Sequence, residues 1–309
     1  MQRMKSASWM TGAGVLTLSA GLAVAQTATG FTVESYADVI EPRRLSFDAA
    51  TGDLYVGHGS NSAREISVVS GADQSVATFG GLLSDADAVY FDSDGMLTGL
   101  AGQVLVGSGT GLFAAANGSS TPLVLPATGG FSNPTEFVSD GAGTVYFTDY
   151  QGMAVLSLNG GSVSPVVTGL APTVEGLAIG PGGTLYTSDR SGTLRSHSGP
   201  GDTQDIWTSA GAEYRWMTES DGSGSIGEGL IVWDQTSSEL LLFEDYEFSM
   251  APTVLGTSFG GVKGLEFGPD GYLYISNSAD QILRLVPIPA PGALAGLGVG
   301  LLALGRRRD

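Results

Sequence analysis

The sequence contains no cysteine, so a disulfide, a thiolate nucleophile and a Cys-ligated zinc are all excluded. Histidine is nearly as scarce: there are two, His58 and His197. The repeats described below set them on opposite sides of the fold, which argues against a Ser-His-Asp triad or a His-rich metal site. Charged residues make up 14% of the chain, and the positive sign is the scarcer one, with 13 Lys and Arg against 31 Asp and Glu. A surface this acidic repels nucleic acid and anionic lipid. The body shows no helix-length run of 3.6-residue periodicity, so long amphipathic helices are not expected. Glycine is abundant instead, 48 of 309 residues. Without a G-X-Y period, that level fits an all-β chain with many turns.

The clearest local pattern is Val262 to Asn277. Leu265 and Phe267 alternate as one face of a strand requires. Gly268-Pro269-Asp270-Gly271 is a tight turn, in which Pro presets φ, Asp bonds nearby backbone and Gly accepts φ > 0. Leu273-Tyr274-Ile275 is then β-prone, and Gln281 to Leu285 supplies a third strand. Copies follow at Leu45 to Val56, Asn133 to Phe147 and Val174 to Tyr186. Tyr146 and Tyr186 are 40 residues apart; the gaps Tyr55–Tyr146 and Tyr186–Tyr274, 91 and 88 residues, each hold one degraded copy. Those copies start near Ala88 and Trp216. Each unit has the length of a four-stranded propeller blade, and the period is too long for a solenoid coil. The expected fold is a six-bladed β-propeller over residues 26–285. Phe31 to Tyr36 alternates like a strand without a partner of its own and is expected to pair with residues 281–285, closing the ring.

The ends read as addresses. Arg3 and Lys5, an apolar run from Trp9 to Val24, and Ala23-Val24-Ala25 form a secretory signal over 1–25. The tail, 286–309, runs from Val286-Pro287-Ile288-Pro289 through an uncharged segment, Gly292 to Gly305, to Arg306-Arg307-Arg308. That segment is short for a full membrane span, and its arginines would stay cytoplasmic. This three-part tail resembles the PEP-CTERM sorting signals of Gram-negative bacteria, with Val-Pro-Ile-Pro where Pro-Glu-Pro is common. The resemblance implies an exported, surface-sorted protein, an exosortase-type enzyme as partner and transient membrane contact through 286–308. Removing both ends leaves 8 basic and 30 acidic residues, a net charge of −22.

Propeller ligands usually sit over the central channel. The residue preceding each Gly-Leu-x-Phe core is expected to line it: Arg43, Asp87, Thr135, Glu175 and Lys263, with the fifth unit unreadable. Asp87, Glu175 and the neighbouring Glu136 are the candidate ligand or metal residues; Arg43 and Lys263 would compete with a metal for their carboxylates. An acidic residue inside a core strand, as at Glu136 and Glu266, needs a partner or water. His58, Asp149, Asp189, Asp234 and Asn277 close strands and are expected to tie the following turns. Asp92-Ser93-Asp94-Gly95 lacks the further spaced ligands of a calcium loop and reads as a turn.

Phe267 to Ser276 and Ile179 to Ser188 resemble NHL-repeat and gluconolactonase-like propellers over about residues 40–285. That resemblance implies a divalent cation such as calcium over the channel and hydrolysis of a lactone or similar ester. The family's Asn-Gly-Leu signature is replaced by Glu175-Gly176-Leu177 and Lys263-Gly264-Leu265, and Pro42-Arg43-Arg44-Leu45 stands at its Glu-Gly-Pro opening. Two readings follow. One is a binding or scaffold module of the cell envelope or extracellular matrix, taking a polysaccharide, protein or small-molecule ligand. The alternative is a metal-dependent lactonase or esterase.

Overall fold

The computed structural model describes residues 27–288, apart from 60, 61, 110, 126–129 and 200. The signal predicted over 1–25 and the tail from 289 onward lie outside the described residues. The described chain is all-β, with one 3-10 turn at Pro181–Gly183. No helix among the described residues is long and apolar enough to cross a membrane.

Two strands, β1 (Thr27–Ala28) and β2 (Phe31–Asp38), precede the repeats. Next come β3 (Pro42–Phe47), β4 (Leu54–His58), β5 (Arg64–Val69) and β6 (Val76–Leu83), then β7 (Ala86–Asp92), β8 (Gln103–Ser108), β9 (Gly111–Ala115) and β10 (Leu123–Val124). β11 (Pro134–Ser139), β12 (Val145–Asp149), β13 (Ala154–Asn159) and β14 (Ser162–Thr168) follow, then β15 (Val174–Ile179), β16 (Leu185–Asp189), β17 (Thr193–Gly199) and β18 (Asp202–Thr208). The last are β19 (Tyr214–Ser220), β20 (Gly229–Asp234), β21 (Glu239–Glu244), β22 (Thr253–Thr257), β23 (Val262–Phe267), β24 (Leu273–Asn277) and β25 (Gln281–Pro287).

Hydrogen bonding joins these into five sheets among the described residues. β11–β14 and β15–β18 are antiparallel meanders, β19–β22 gains β1 at its outer edge, and β23–β25 gains β2. The eight-stranded sheet is two meanders, β3–β6 and β7–β10, linked by the single pairing His58↔Ala86. β3, β7, β11, β15, β19 and β23 pack against one another in chain order, and β23 returns to β3. The arrangement is that of a propeller, with these strands innermost.

The turn Gly268–Gly271 forms as its residues demand. Gly271 has φ +74°, its N–H donates to the Gly268 carbonyl (2.9 Å), and Asp270 accepts from the Tyr272 N–H (3.2 Å). Closure is as expected: β2 pairs antiparallel with β25, from Phe31↔Pro287 to Asp38↔Gln281. Two details differ from the sequence reading. β25 runs on through Val286 and Pro287, so these belong to the sheet rather than the tail, and the Ile288 N–H still donates to the Gly30 carbonyl. β1 also pairs with β22, so the N-terminal segment fastens two sheets instead of one.

The core lies between successive sheets. Trp233, Phe259, Leu265 and Ile275 fill one such layer, and Phe137, Phe147, Leu105 and Leu112 another. The repeated tyrosines reach forward to the next meander: Tyr55 stacks on Phe91 (4.6 Å) and Tyr274 meets Phe47 edge-on (4.8 Å). An aromatic pair of this kind adds about 0.5–1.5 kcal/mol beyond its buried area.

Candidate functional site

Each innermost strand breaks register near its start, between Pro42/Leu45, Ala86/Ala88, Pro134/Phe137, Val174/Gly176, Tyr214/Met217 and Val262/Gly264. A bulge there re-aims one side chain. The residues inside the bulges include Arg43, Asp87, Thr135, Glu175, Arg215 and Lys263. Of these, Arg43, Asp87, Thr135, Glu175 and Arg215 line one cavity of about 210 Å³ at the channel mouth, with Asn133, Tyr150 and Arg190. Lys263 stands at its rim, half-buried, within electrostatic reach of Arg43, Arg215, Glu175 and Arg44. The mouth therefore gathers the predicted Arg43, Asp87, Thr135 and Glu175.

The bulges are held by a repeated hydroxyl. Thr148, Ser188 and Ser276 each donate to the carbonyl of the mouth residue on the following meander, Glu175, Arg215 and Arg43. The close passage of backbones explains the glycine after Glu175 and Lys263. A Cβ at Gly176 would lie 2.8 Å from the Arg215 carbonyl oxygen, and one at Gly264 2.6 Å from that of Arg43.

Every mouth carboxylate faces a guanidinium. Arg43 Nε lies 3.4 Å from Asp87. Glu175 is hydrogen-bonded by Arg190 and has Arg215 Nε at 3.8 Å. Glu213 pairs with Arg215 (2.7 Å) and Arg190 (3.7 Å). Burial pushes the Asp87 carboxyl up to about 6 despite the opposing pull of Arg43.

Bulk in the next column of the inner strands closes the floor of the mouth. Where two strands have Gly176 and Gly264, others carry Arg44, Glu136 and Trp216. Arg44 is buried, with its Nε 2.8 Å from a Glu136 oxygen, its guanidinium 3.6 Å from the Trp216 ring centroid, and a hydrogen bond to the Lys263 carbonyl. Trp216 in turn donates to the Val262 carbonyl at 2.6 Å. Below this plug a second cavity, also about 210 Å³, is lined by residues of all these inner strands, including Glu136, Glu219 and Glu266. Burial raises Glu136 to about 8 against the pull of Arg44, and raises Glu266 to about 8, with Glu136 adding to the rise.

Glu136 therefore does not join Asp87 and Glu175. It belongs to the plug and the lower channel, because it is the residue after Thr135 within the same bulge and pairs with Arg44. Among the described residues, no group of three or more His, Cys, Asp or Glu side chains is placed to hold a metal ion. Sequence reasoning missed Arg215, Arg190 and the plug. Tyr214-Arg215-Trp216-Met217 matches Val262-Lys263-Gly264-Leu265 once Trp is admitted where Gly normally stands, which was the signal available for Arg215. The strand-closing residues tie turns as expected: Asp149 accepts from the Ser132, Asn133 and Gly152 N–H groups, and Asp189 from Ser191 and Thr193. Asp92 likewise accepts from Gly95, Leu97 and Thr98. His197 sits between Thr187 and Thr203 hydroxyls, and burial lowers it to about 4.

No protein-family model and no curated protein matches the sequence. Solved structures match its fold. A gluconolactonase from Xanthomonas campestris aligns with TM-score 0.60 at 14% identity, over 84% of this chain and 90% of its own. A calcium-binding protein, regucalcin, from Agrobacterium tumefaciens gives 0.63 at 14%, over 83% and 94%. The body has a gluconolactonase-like propeller fold. The apo form of a soluble aldose sugar dehydrogenase from Escherichia coli also aligns, with TM-score 0.64 at 13% identity, over 84% of this chain and all of that one. At these identities the likeness to gluconolactonase-like propellers is one of fold, and the chemistry must be argued from the mouth itself.

Proposed function

We propose that this chain is a lactone or ester hydrolase working at the channel mouth of a six-bladed propeller. The count of six treats the eight-stranded sheet as two blades and is supported by the cyclic packing of the inner strands. The observation that carries the hydrolase reading is Asp87, a carboxylate that titrates at about 6 in a cavity ringed by Arg43, Arg190 and Arg215. A base is most useful when its pKa lies near the working pH, and fixed guanidiniums stabilise a developing oxyanion. The Asp87 carboxylate takes a proton from water as the water oxygen bonds to the lactone carbonyl carbon. The carbonyl electron pair moves onto oxygen, facing the guanidiniums. Collapse breaks the ring C–O bond, and the leaving oxygen recovers the proton from Asp87 to become an alcohol. Glu175 and Glu213 hold Arg190 and Arg215 in place.

A divalent cation does not fit these residues. Asp87 and Glu175 already face arginines, Glu136 is committed to Arg44 below the mouth, and a cation would have to displace those guanidiniums. No step is therefore assigned to calcium. The test is turnover of D-glucono-1,4-lactone by purified 26–288, with and without EDTA. We expect hydrolysis above the buffer rate, unaffected by EDTA, and at least a 100-fold loss in Asp87→Asn at an unchanged melting temperature. Wild-type turnover equal to buffer would sink the hydrolase.

The second reading, a surface-sorted binding module, is favoured by the occupied carboxylates. Export, sorting by an exosortase-type enzyme and residence at the surface of a Gram-negative cell are proposed in either case, on the strength of the terminal sequence patterns. Export would be checked by fractionating cells that express the full chain, with the cytoplasmic fraction as the adverse outcome.

A further inference from the structure

The cations of this protein are not spread over it. After removal of the two ends, eight basic residues remain in a body of net charge −22. Five of them, Arg43, Arg44, Arg190, Arg215 and Lys263, meet at the mouth or in its floor. The carboxylates there account for four: Asp87 for Arg43, Glu136 for Arg44, and Glu175 with Glu213 for Arg190 and Arg215. Lys263 is left over. It makes no ion pair among the described residues; burial lowers its pKa, Arg43 and Arg215 depress it further, and Glu175 offsets them only in part. Crowding a half-buried ammonium against two guanidiniums is unfavourable unless an anion joins them. A second group has room for the same partner: Arg190 Nε is buried and makes no hydrogen bond, the Glu213 carboxylate standing 3.7 Å away.

We infer that the mouth binds a small ligand carrying a free carboxylate, held at Lys263 and the neighbouring guanidiniums, so that the substrate class is an acidic lactone such as that of an aldaric acid. The inference rests on the mouth being the reaction site proposed above. The cavity, about 210 Å³, admits a single sugar-sized molecule. The acidic exterior repels a polyanion and leaves the mouth as an isolated positive spot, where field lines focus a small anion. A planar carboxylate also matches the fork of an arginine.

The experiment has a binding arm and a turnover arm. Purified 26–288 is titrated calorimetrically at low ionic strength with D-glucuronate, D-glucose and inorganic phosphate. We expect D-glucuronate to bind at least tenfold more tightly than D-glucose and more tightly than phosphate. Lys263→Met should weaken glucuronate tenfold or more, whereas Arg64→Met, remote from the mouth, should leave it unchanged. Equal binding of glucuronate and glucose overturns the inference, as does tighter binding of phosphate or an affinity that survives Lys263→Met. In the turnover arm, D-glucaro-1,4-lactone differs from D-glucono-1,4-lactone by the free carboxylate and should show the higher kcat/KM. Glucuronate binding without turnover of either lactone would fell the hydrolase and keep the anion site. Turnover with no preference for the acidic lactone would do the reverse.

Discussion

The mouth and the lower channel are separated by one layer of side chains, yet they treat the same chemistry in opposite ways. Above the plug, Asp87 and Glu175 face arginines and the cavity opens to solvent. Below it, Glu136 and Glu266 line the second cavity, and burial raises both to about 8. Both pairs of carboxylates sit on inner strands. The difference is the column: Asp87 and Glu175 stand at the position that faces the mouth, Glu136 one residue further along its strand, and Glu266 nearer the strand end. At the mouth the guanidiniums offset the burial of the carboxylates; below the plug burial outweighs Arg44 at Glu136, and at Glu266 Glu136 adds to the rise.

The largest effect expected from breaking this division is at the plug. Arg44→Ala removes the partner of Glu136, the Trp216 contact and the bond to the Lys263 carbonyl together. Truncating a buried side chain of this size and leaving a buried carboxyl without its partner costs about 3–5 kcal/mol, which in a domain of this size lowers the melting temperature by roughly 10 °C. A change under 2 °C would mean that the plug does not close the channel. Gly264→Ala comes next. Its Cβ would meet the Arg43 carbonyl oxygen at 2.6 Å and the Ser276 hydroxyl at 3.0 Å, and such overpacking costs about 1–3 kcal/mol. It should also weaken glucuronate binding, because it separates the bulges that present Lys263 and Arg43.

The lower channel gives a smaller effect with a definite sign. Folded Glu136 and Glu266 keep their protons to about 8, against 4.5 for the ordinary carboxyl. Between those values the folded state binds more protons than the unfolded one, so stability falls as pH rises. Their favourable contribution is complete below about 4.5 and is lost through about 8. Thermal melts should therefore decline by a few degrees from pH 5 to pH 8, and Glu266→Gln should flatten that decline. A melting temperature that climbs over this interval and is indifferent to the substitution would contradict the account.

Much of the frame was legible because it is local. The Gly-Pro-Asp-Gly turn, the Leu-Tyr-x-Ser strands and the unpartnered β2 all announce themselves within ten residues. Arg43, Asp87, Thr135 and Glu175 were legible as a set because the repeat aligns them. What was not legible depends on residues far apart in the chain. Arg44, Glu136 and Trp216 each look like a lapse in the glycine column, and only their meeting across the axis makes them a plug. Arg190 follows a strand-closing aspartate, in a loop whose direction the repeat does not fix. The link between the first two meanders hangs on His58↔Ala86 alone, a pairing no pattern marks. The extension of β25 to Pro287 was hidden by prolines that read as the start of the tail.

The smallest change in stability should come from Arg43→Ala, and it separates the two regions most sharply. Arg43 and Asp87 are 3.4 Å apart with side chains 29% and 22% exposed, so solvent screens the pair and its loss costs less than about 1 kcal/mol. The melting temperature should move by no more than a few degrees. The function of the mouth should nevertheless change, because Arg43 is the largest influence opposing the burial that raises Asp87. Without it the carboxylate holds its proton more tightly, and the rising limb of lactone turnover against pH should move upward from about 6. The equivalent cut in the plug, Arg44→Ala, should do the opposite, costing much stability while leaving that limb within a few tenths of a pH unit. If Arg43→Ala left the limb unmoved, Asp87 would not be the base, whatever else the mouth binds.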